Sequence, residues 1–326
     1  MKNVIVIVGP TASGKTSLSI ELAKEMNGEI ISADSMQIYK YMDIGTAKPD
    51  TEEMAGIKHY LIDEICPDED FSVARFKELS LKYIDEIIEK GKQPIIVGGT
   101  GLYINSLVYN IDFTETVSDW ELRERLKKEA EEFGNEYIYN KLVAIDKKAA
   151  EKIHINDLKR IIRAIEVFEY TKTPISEHQE ISRQNPPKHR FIIYGLKMDR
   201  QRLYDRINKR VDIMFEKGLI EEVRRLIDLG FDKNTVAMQA LGYKEVLAYL
   251  KGEITYDEAR EIIKMGSRRY AKRQITWFKR TENIQWIDLD ENDEINKIIK
   301  NIKNLIATNG NFLSLTLRQN KNPAKP

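Results

Sequence analysis

The chain has one cysteine, Cys66, in 326 residues. A single cysteine excludes an intrachain disulfide and a cysteine zinc site, and fits a reducing cytoplasm. Histidine is nearly as scarce. His59, His154, His178 and His189 show no metal-ligand spacing, so all four read as structural or surface residues. No apolar run approaches the roughly 20 residues of a membrane span. The apolar run at the N-terminus is short and ends in a glycine loop, which makes it a core strand rather than a signal peptide. Net charge is also absent: 52 Lys+Arg balance 52 Asp+Glu. Global charge therefore predicts no partner, and any nucleic-acid argument must come from local clusters.

What is present begins with Gly9-Pro10-Thr11-Ala12-Ser13-Gly14-Lys15-Thr16. This is the P-loop spacing G-x-x-x-x-G-K-[ST]. It follows the apolar run Val4–Val8 and precedes a helical pattern with Leu18, Leu22 and Met26. In that context the loop's backbone N–H groups converge on phosphate oxygens, aided by the helix N-terminus. Lys15 adds a point charge, and the Thr16 hydroxyl suits Mg²⁺. The motif implies a polyphosphate ligand without saying which one.

Short apolar runs alternate with helical patterns: strands at Val4–Val8, Glu29–Ala33, His59–Asp63 and Gln93–Val97, with an amphipathic helix over Ser72–Lys90. Alternation of this kind predicts a parallel sheet covered on both faces, with ligands at the C-terminal strand ends. The glycine loop, Asp34 and Thr100 of Gly98-Gly99-Thr100-Gly101 all fall at such ends. From about Thr114 the pattern turns helical and charged, with helices expected at Trp120–Phe133, Glu136–Val143 and Asp157–Tyr170. A strand returns at Arg190–Leu196. Helices follow at Gln201–Lys217, Ile220–Leu229, Gly242–Leu250 and Tyr256–Arg280, then a strand at Asn283–Leu289 and a helix at Asp293–Ile306. The fold class expected is α/β, a P-loop NTPase-like parallel sheet core with an inserted helical domain. The core takes residues 1–111 and 190–307, the insertion 112–189. The tail 308–326, rich in Asn, Lys and Pro, reads as disordered.

Asp34 has two functional readings, as a Mg²⁺ ligand or as a general base on a substrate proton, and a structural one as a helix N-cap. Asp63 is a rival metal carboxylate. Basic residues gather in three places: Lys159, Arg160 and Arg163; Arg200 to Arg210; and Arg268 to Arg280, which holds six basic residues and no acid. In the last of these, helical spacing aligns Arg269, Arg273, Thr276 and Arg280. Three such clusters favour a polyanion larger than a diphosphate. A small-molecule kinase, a prenyltransferase acting on a free nucleotide and a non-catalytic RNA-binding protein remain rival readings at this point.

The set of motifs resembles the tRNA dimethylallyltransferases. The resemblance rests on Gly9–Thr16, Ile31–Ser35, Tyr39–Pro49, Val97–Tyr103, Arg160–Val167, Leu241–Lys244 and Lys272–Trp277, in the family's order up to about Ile306. It implies transfer of a dimethylallyl group from its diphosphate to N6 of adenosine 37 in the anticodon loop. By the resemblance Asp34 corresponds to the general base, Thr100 to a residue lining the channel to the target base, and Arg210 to an arginine on the diphosphate. Gly9, Pro10, Thr11, Ala12, Ser13, Gly14, Lys15 and Thr16 would hold that diphosphate, with Mg²⁺ on Thr16 as the cofactor.

The tRNA-contacting segments carried over are Asp34, Ser35, Met36 and Gln37; Thr100; Arg123; Lys159, Arg160, Ile161, Ile162 and Arg163; Gln239, Ala240, Leu241, Gly242, Tyr243 and Lys244; and Lys272, Arg273, Gln274, Ile275, Thr276, Trp277, Phe278 and Lys279. Lys159 stands where family members often carry glutamine, and Gln239 where a relative carries arginine. The resemblance further implies a cytoplasmic monomer whose partners are the tRNA anticodon stem-loop and dimethylallyl diphosphate, with no membrane partner.

Overall fold

The computed structural model describes residues 3–111, 119–231, 235–291 and 294–306. The expected starts of the insertion at Asp112 and of the last helix at Asp293, and the tail 308–326, lie outside the described residues. The chain divides into two compact units, Met1–Asp70 with Ser80–Gly101 and His189–Pro326, and Phe71–Leu79 with Leu102–Lys188.

The first unit is built on a sheet of six strands: β1 Asn3–Val8, β2 Gly28–Ser32, β3 His59–Tyr60, β4 Gln93–Gly98, β5 Arg190–Lys197 and β6 Ile284–Asp288. Their order is β3-β2-β4-β1-β5-β6, and every pairing is parallel. The sequence shows why. Val4–Val8 is an unbroken apolar run, and all five side chains are buried; only a sheet covered on both faces accommodates that. One face is covered by the helices Lys15–Met26 and 295–306, whose Leu18, Leu22, Ile298 and Ile302 pack on Ile5, Ile7, Ile95 and Ile192. Each such buried side chain contributes about 1.5–3 kcal/mol. β3 is shorter than the apolar run His59–Asp63 suggests, because Leu61 and Asp63 take left-handed backbone (φ 60° and 55°) and leave the ladder.

Register places the functional loops. Val8 lies opposite Gly98 on one side and Gly195 on the other, and Ser32 lies opposite Val97. The residues following β1, β2 and β4 therefore emerge at one edge of the sheet.

The second unit packs Trp120–Phe133, Asn135–Ile145 and Leu158–Thr171 around Leu126, Ile138, Leu142, Ile161 and Ile165. Aspartates cap three helix starts: Asp119 accepts from Leu122 N–H, Asp146 from Ala149 N–H and Asp157 from Arg160 N–H. Lys147–Ala150 and Ile175–Gln184 are additional helices, one too short and the other too polar to stand out by periodicity. Packing also draws Phe76 into this unit, stacked on Tyr103 at 4.1 Å. The division by contacts is thus wider than the 112–189 span read from composition.

A buried carboxylate organises the unit. Glu166 accepts from Arg123 Nε and Nη2 (2.8 and 2.9 Å), Arg163 Nη1 (2.6 Å) and Asp119 N–H (3.0 Å). Burial pushes its pKa up, but these donors outweigh burial and hold it below the usual value.

Candidate active site

The glycine loop leaves β1 and enters the helix Lys15–Met26, whose first-turn N–H groups have no intrahelical partner. Positive charge converges on it. Lys15 Nζ donates to Pro10 O at 2.7 Å, Arg206 Nε to Ala12 O at 2.8 Å and Arg210 Nη1 to Thr11 Oγ1 at 3.2 Å. Burial, then the neighbouring charge of Arg210, pushes the Lys15 amine down to about 7, against a smaller opposing pull from Asp34. Burial lowers Arg210 as well. A cleft of about 930 Å³ opens over Lys15, Thr16, Arg206, Lys209 and Arg210. Ser13 Oγ is buried beside it with no hydrogen-bond partner among the described residues. Cations crowded to this degree, with an orphaned hydroxyl, describe an anion site.

Asp34 follows β2. Ala33 N–H donates to Val97 O at 2.7 Å and Thr100 N–H to Ala33 O at 3.2 Å, which stitches the ends of β2 and β4 together. Asp34 Oδ1 accepts from Met36 N–H at 2.9 Å in a tight turn. Turns follow it rather than a helix, so it is not an N-cap. Asp34, Ser35, Thr11, Tyr270 and Arg273 line a second cavity of about 370 Å³, within the ~300–1,000 Å³ range of small-molecule sites. Arg210 lines both cavities. The arginine thus stands between the anion cleft and the carboxylate pocket. Asp63, the rival carboxylate, is committed to Lys48 Nζ at 2.5 Å, together with Asp43 at 2.7 Å.

The helix Tyr256–Phe278 closes the site with two faces. Outward, Arg269, Lys272, Thr276 and Lys279 are exposed, and Arg273 is exposed while also lining the second cavity. Inward, Gln274 is buried and both ends of its amide are used: Oε1 accepts from Thr11 N–H at 2.8 Å, and Nε2 donates to Gly99 O at 3.0 Å. This explains the glycines after β4. A Cβ on Gly99 would lie 2.0 Å from Gln274 Nε2, and one on Gly101 would lie 2.2 Å from the Trp277 indole.

Side chains expected at RNA therefore divide. Gln274 and Phe278 are buried, as are Ile161 and Ile162 in the second unit. Arg123 and Arg163 are held by Glu166, while Lys159 and Arg160 stay exposed. Helical spacing had to be read against a partner surface to separate these faces. Gln37 is engaged too. It accepts from Ser32 Oγ at 3.0 Å and donates to Thr46 O and Ala47 O at 3.4 and 3.3 Å.

Gln239 and Lys244 are exposed, Ala240 and Leu241 half-buried, Gly242 buried. Tyr243 is buried and donates to Glu222 Oε1 at 2.7 Å. Glu222, on the helix Leu219–Asp228, also accepts from the N–H groups of Asp43, Ile44 and Gly45 at 2.8–3.1 Å. One buried carboxylate thus pins the Met42–Pro49 loop that lines both cavities. Glu222→Ala is expected to cost about 3 kcal/mol, since four donors lose their acceptor at once. Chemical denaturation checks this, and an unshifted midpoint would show the loop to be held otherwise.

Sequence reading missed Glu222 and Tyr270, and left Arg206 inside a basic cluster without a role. Arg206 had a legible signal: it lies four residues before Arg210, on the same helix face. Glu222 and Tyr270 had none.

The chain matches a family model described as IPP transferase over residues 37–281. It is 69% identical to a tRNA dimethylallyltransferase of Acetivibrio thermocellus, over 96% of this chain and 100% of that one. A solved tRNA isopentenylpyrophosphate transferase of Staphylococcus epidermidis superposes with a TM-score of 0.70 at 46% identity, covering 94% of this chain and 100% of that one. A eukaryotic dimethylallyltransferase, solved acting on tRNA, superposes with a TM-score of 0.77 at 30% identity, covering 100% and 81%.

Proposed function

The chain belongs to the IPP transferase family, and from that premise we propose that it transfers a dimethylallyl group from dimethylallyl diphosphate to N6 of adenosine 37 in tRNA, releasing diphosphate. The observation that carries the reading is the pair of cavities joined at Arg210, one cationic around the glycine loop and one holding Asp34.

The chemistry follows from that pairing. Adenine N6 is a poor nucleophile because its lone pair is delocalised into the ring. The allylic carbon is the easier partner, since its cation is resonance-stabilised as diphosphate leaves. The protein's first task is to stabilise negative charge growing on the leaving diphosphate. The first-turn N–H groups of Lys15 and Thr16, with the Lys15 amine, Arg206 and Arg210, would serve it, whereas Pro10 has no N–H and the Thr11 N–H is held by Gln274; such preorganised donors are usually the largest catalytic term. Asp34 accepts the N6 proton and orients the amine. The base must leave the anticodon stack to reach Asp34, at low cost in single-stranded loop RNA.

Magnesium is part of this proposal. Its ligands would be the Thr16 hydroxyl and the phosphates of the prenyl donor. Oxygen ligands with few carboxylates are what Mg²⁺ takes at phosphate sites. When bound it neutralises charge on the leaving group.

The anticodon stem-loop, bound by a cytoplasmic monomer, completes the proposal. No helix among the described residues is long and apolar enough to cross a membrane. The exposed cations Lys159, Arg160, Arg269, Lys272, Arg273 and Lys279 supply the phosphate contacts. Affinity for the stem-loop is expected to fall on the order of a thousandfold between ~50 and ~200 mM salt. A flat titration would remove these residues from the RNA surface. The reaction is tested by incubating an unmodified anticodon stem-loop with the protein, Mg²⁺ and dimethylallyl diphosphate. Mass spectrometry should find one added five-carbon group on the target adenosine; unchanged RNA with intact donor would refute the reading.

A further inference from the structure

Tyr270 has no part in the steps above, yet it lines the Asp34 cavity. It lies one turn before Gln274 on the inward side of the helix Tyr256–Phe278. Ser35 N–H can only donate, and it donates to Thr100 Oγ1 at 3.2 Å. The Thr100 hydroxyl then has its own proton to offer, and Thr100 acts on the Tyr270 hydroxyl in the sense that favours its charged form. Gln274 acts on the same hydroxyl in the same sense. Its amide orientation is set by Thr11 N–H on Oε1 and Gly99 O on Nε2, so the second N–H of Nε2 is what it offers Tyr270.

Each neighbour therefore has a proton to offer the phenol, and no hydrogen bond among the described residues engages the phenol's own proton. The phenol oxygen acts as acceptor toward them, and its own proton remains for the cavity. Asp34 acts on the phenol through charge rather than a hydrogen bond. Burial, and then that charge, pushes the hydroxyl up to about 12, so it stays protonated. The wall of the cavity thus presents an O–H donor and a carboxylate acceptor together.

A purine edge with an amino donor beside a ring-nitrogen acceptor matches that order, and adenine's N6 and N1 are such a pair. Guanine and uracil present the reverse. Resting on the reaction proposed above, we propose that Tyr270 reads the target base by donating its hydroxyl proton to adenine N1 while Asp34 accepts from N6. The bond to N1 fixes the base edge so that the exocyclic amine meets Asp34.

The test uses two anticodon stem-loops, one with adenosine at the target position and one with 1-deazaadenosine, in which N1 is replaced by C–H. The wild-type enzyme is expected to lose roughly ten- to a hundredfold in kcat/KM on the deaza substrate. Tyr270→Phe should lose a similar factor on adenosine and show no further penalty on the deaza loop. The wild-type comparison needs no variant to fold, and melting curves report on Tyr270→Phe. An active wild-type enzyme indifferent to N1, or a Tyr270→Phe variant that still discriminates fully, overturns this role alone. A wild-type enzyme inert toward the adenosine loop overturns the reaction and this role together.

Discussion

Asp34→Ala is expected to lower kcat by 10²–10⁴-fold, the usual range for loss of a positioned base, while KM for the prenyl donor changes little. The split follows from the layout of the site. Asp34 lies in the smaller cavity, and the donor's phosphates are proposed to occupy the cleft on the other side of Arg210. Removing the carboxylate leaves the glycine loop and Lys15 in place. It also leaves the stitching between β2 and β4 in place, which runs through backbone groups of Ala33 and Thr100. Single-turnover rates with pre-bound stem-loop separate the chemical step from RNA release. Near-normal turnover in Asp34→Ala would remove the residue from the base role.

Lys15→Met should cost about a hundredfold in rate, or on the order of 3 kcal/mol of transition-state stabilisation. It should also erase a pH dependence. Burial favours the neutral amine, and the Lys15 pKa sits near 7 in the unliganded protein. Below pH 7 the amine enters the binding step already charged. Above pH 7 it is neutral and must take up a proton as the diphosphate arrives, because the anion stabilises the ammonium. Donor affinity is therefore expected to weaken as pH rises above 7, by at most about tenfold per unit for one coupled proton. Calorimetry in buffers of different ionisation enthalpy measures that uptake. Lys15→Met in the same titration isolates the lysine's share from the ionisation of the phosphates. A wild-type affinity unchanged between pH 7 and 9 would show that the amine stays charged.

The parallel sheet was legible because unbroken apolar runs such as Val4–Val8 admit few other environments. The convergence of the glycine loop, Asp34 and Thr100 was legible for a related reason: each ends a strand, and parallel strands deliver their ends to one edge. Arg210 was reached only through resemblance. Its neighbour Arg206 shows that spacing alone could have led there. The faces of the helix Tyr256–Phe278 were a different matter. Gln274 and Arg273 are adjacent polar residues in a basic stretch, and nothing local distinguishes the buried clamp from the exposed cation. The distinction depends on Thr11 and Gly99, 263 and 175 residues away. Glu222 and Glu166 escaped for the same reason. A glutamate on an amphipathic helix reads as solvent-facing until the donors that surround it are known.

The hydrogen bond from Thr11 to Gln274 also has a bearing on biosynthesis. The glycine loop is translated 263 residues before the amide that braces it. Pairings so distant along the chain form late. A nascent polypeptide can therefore assemble most of its sheet well before it can acquire prenyl-transfer activity, and premature termination between the loop and that helix yields a product with the phosphate motif intact and its brace missing.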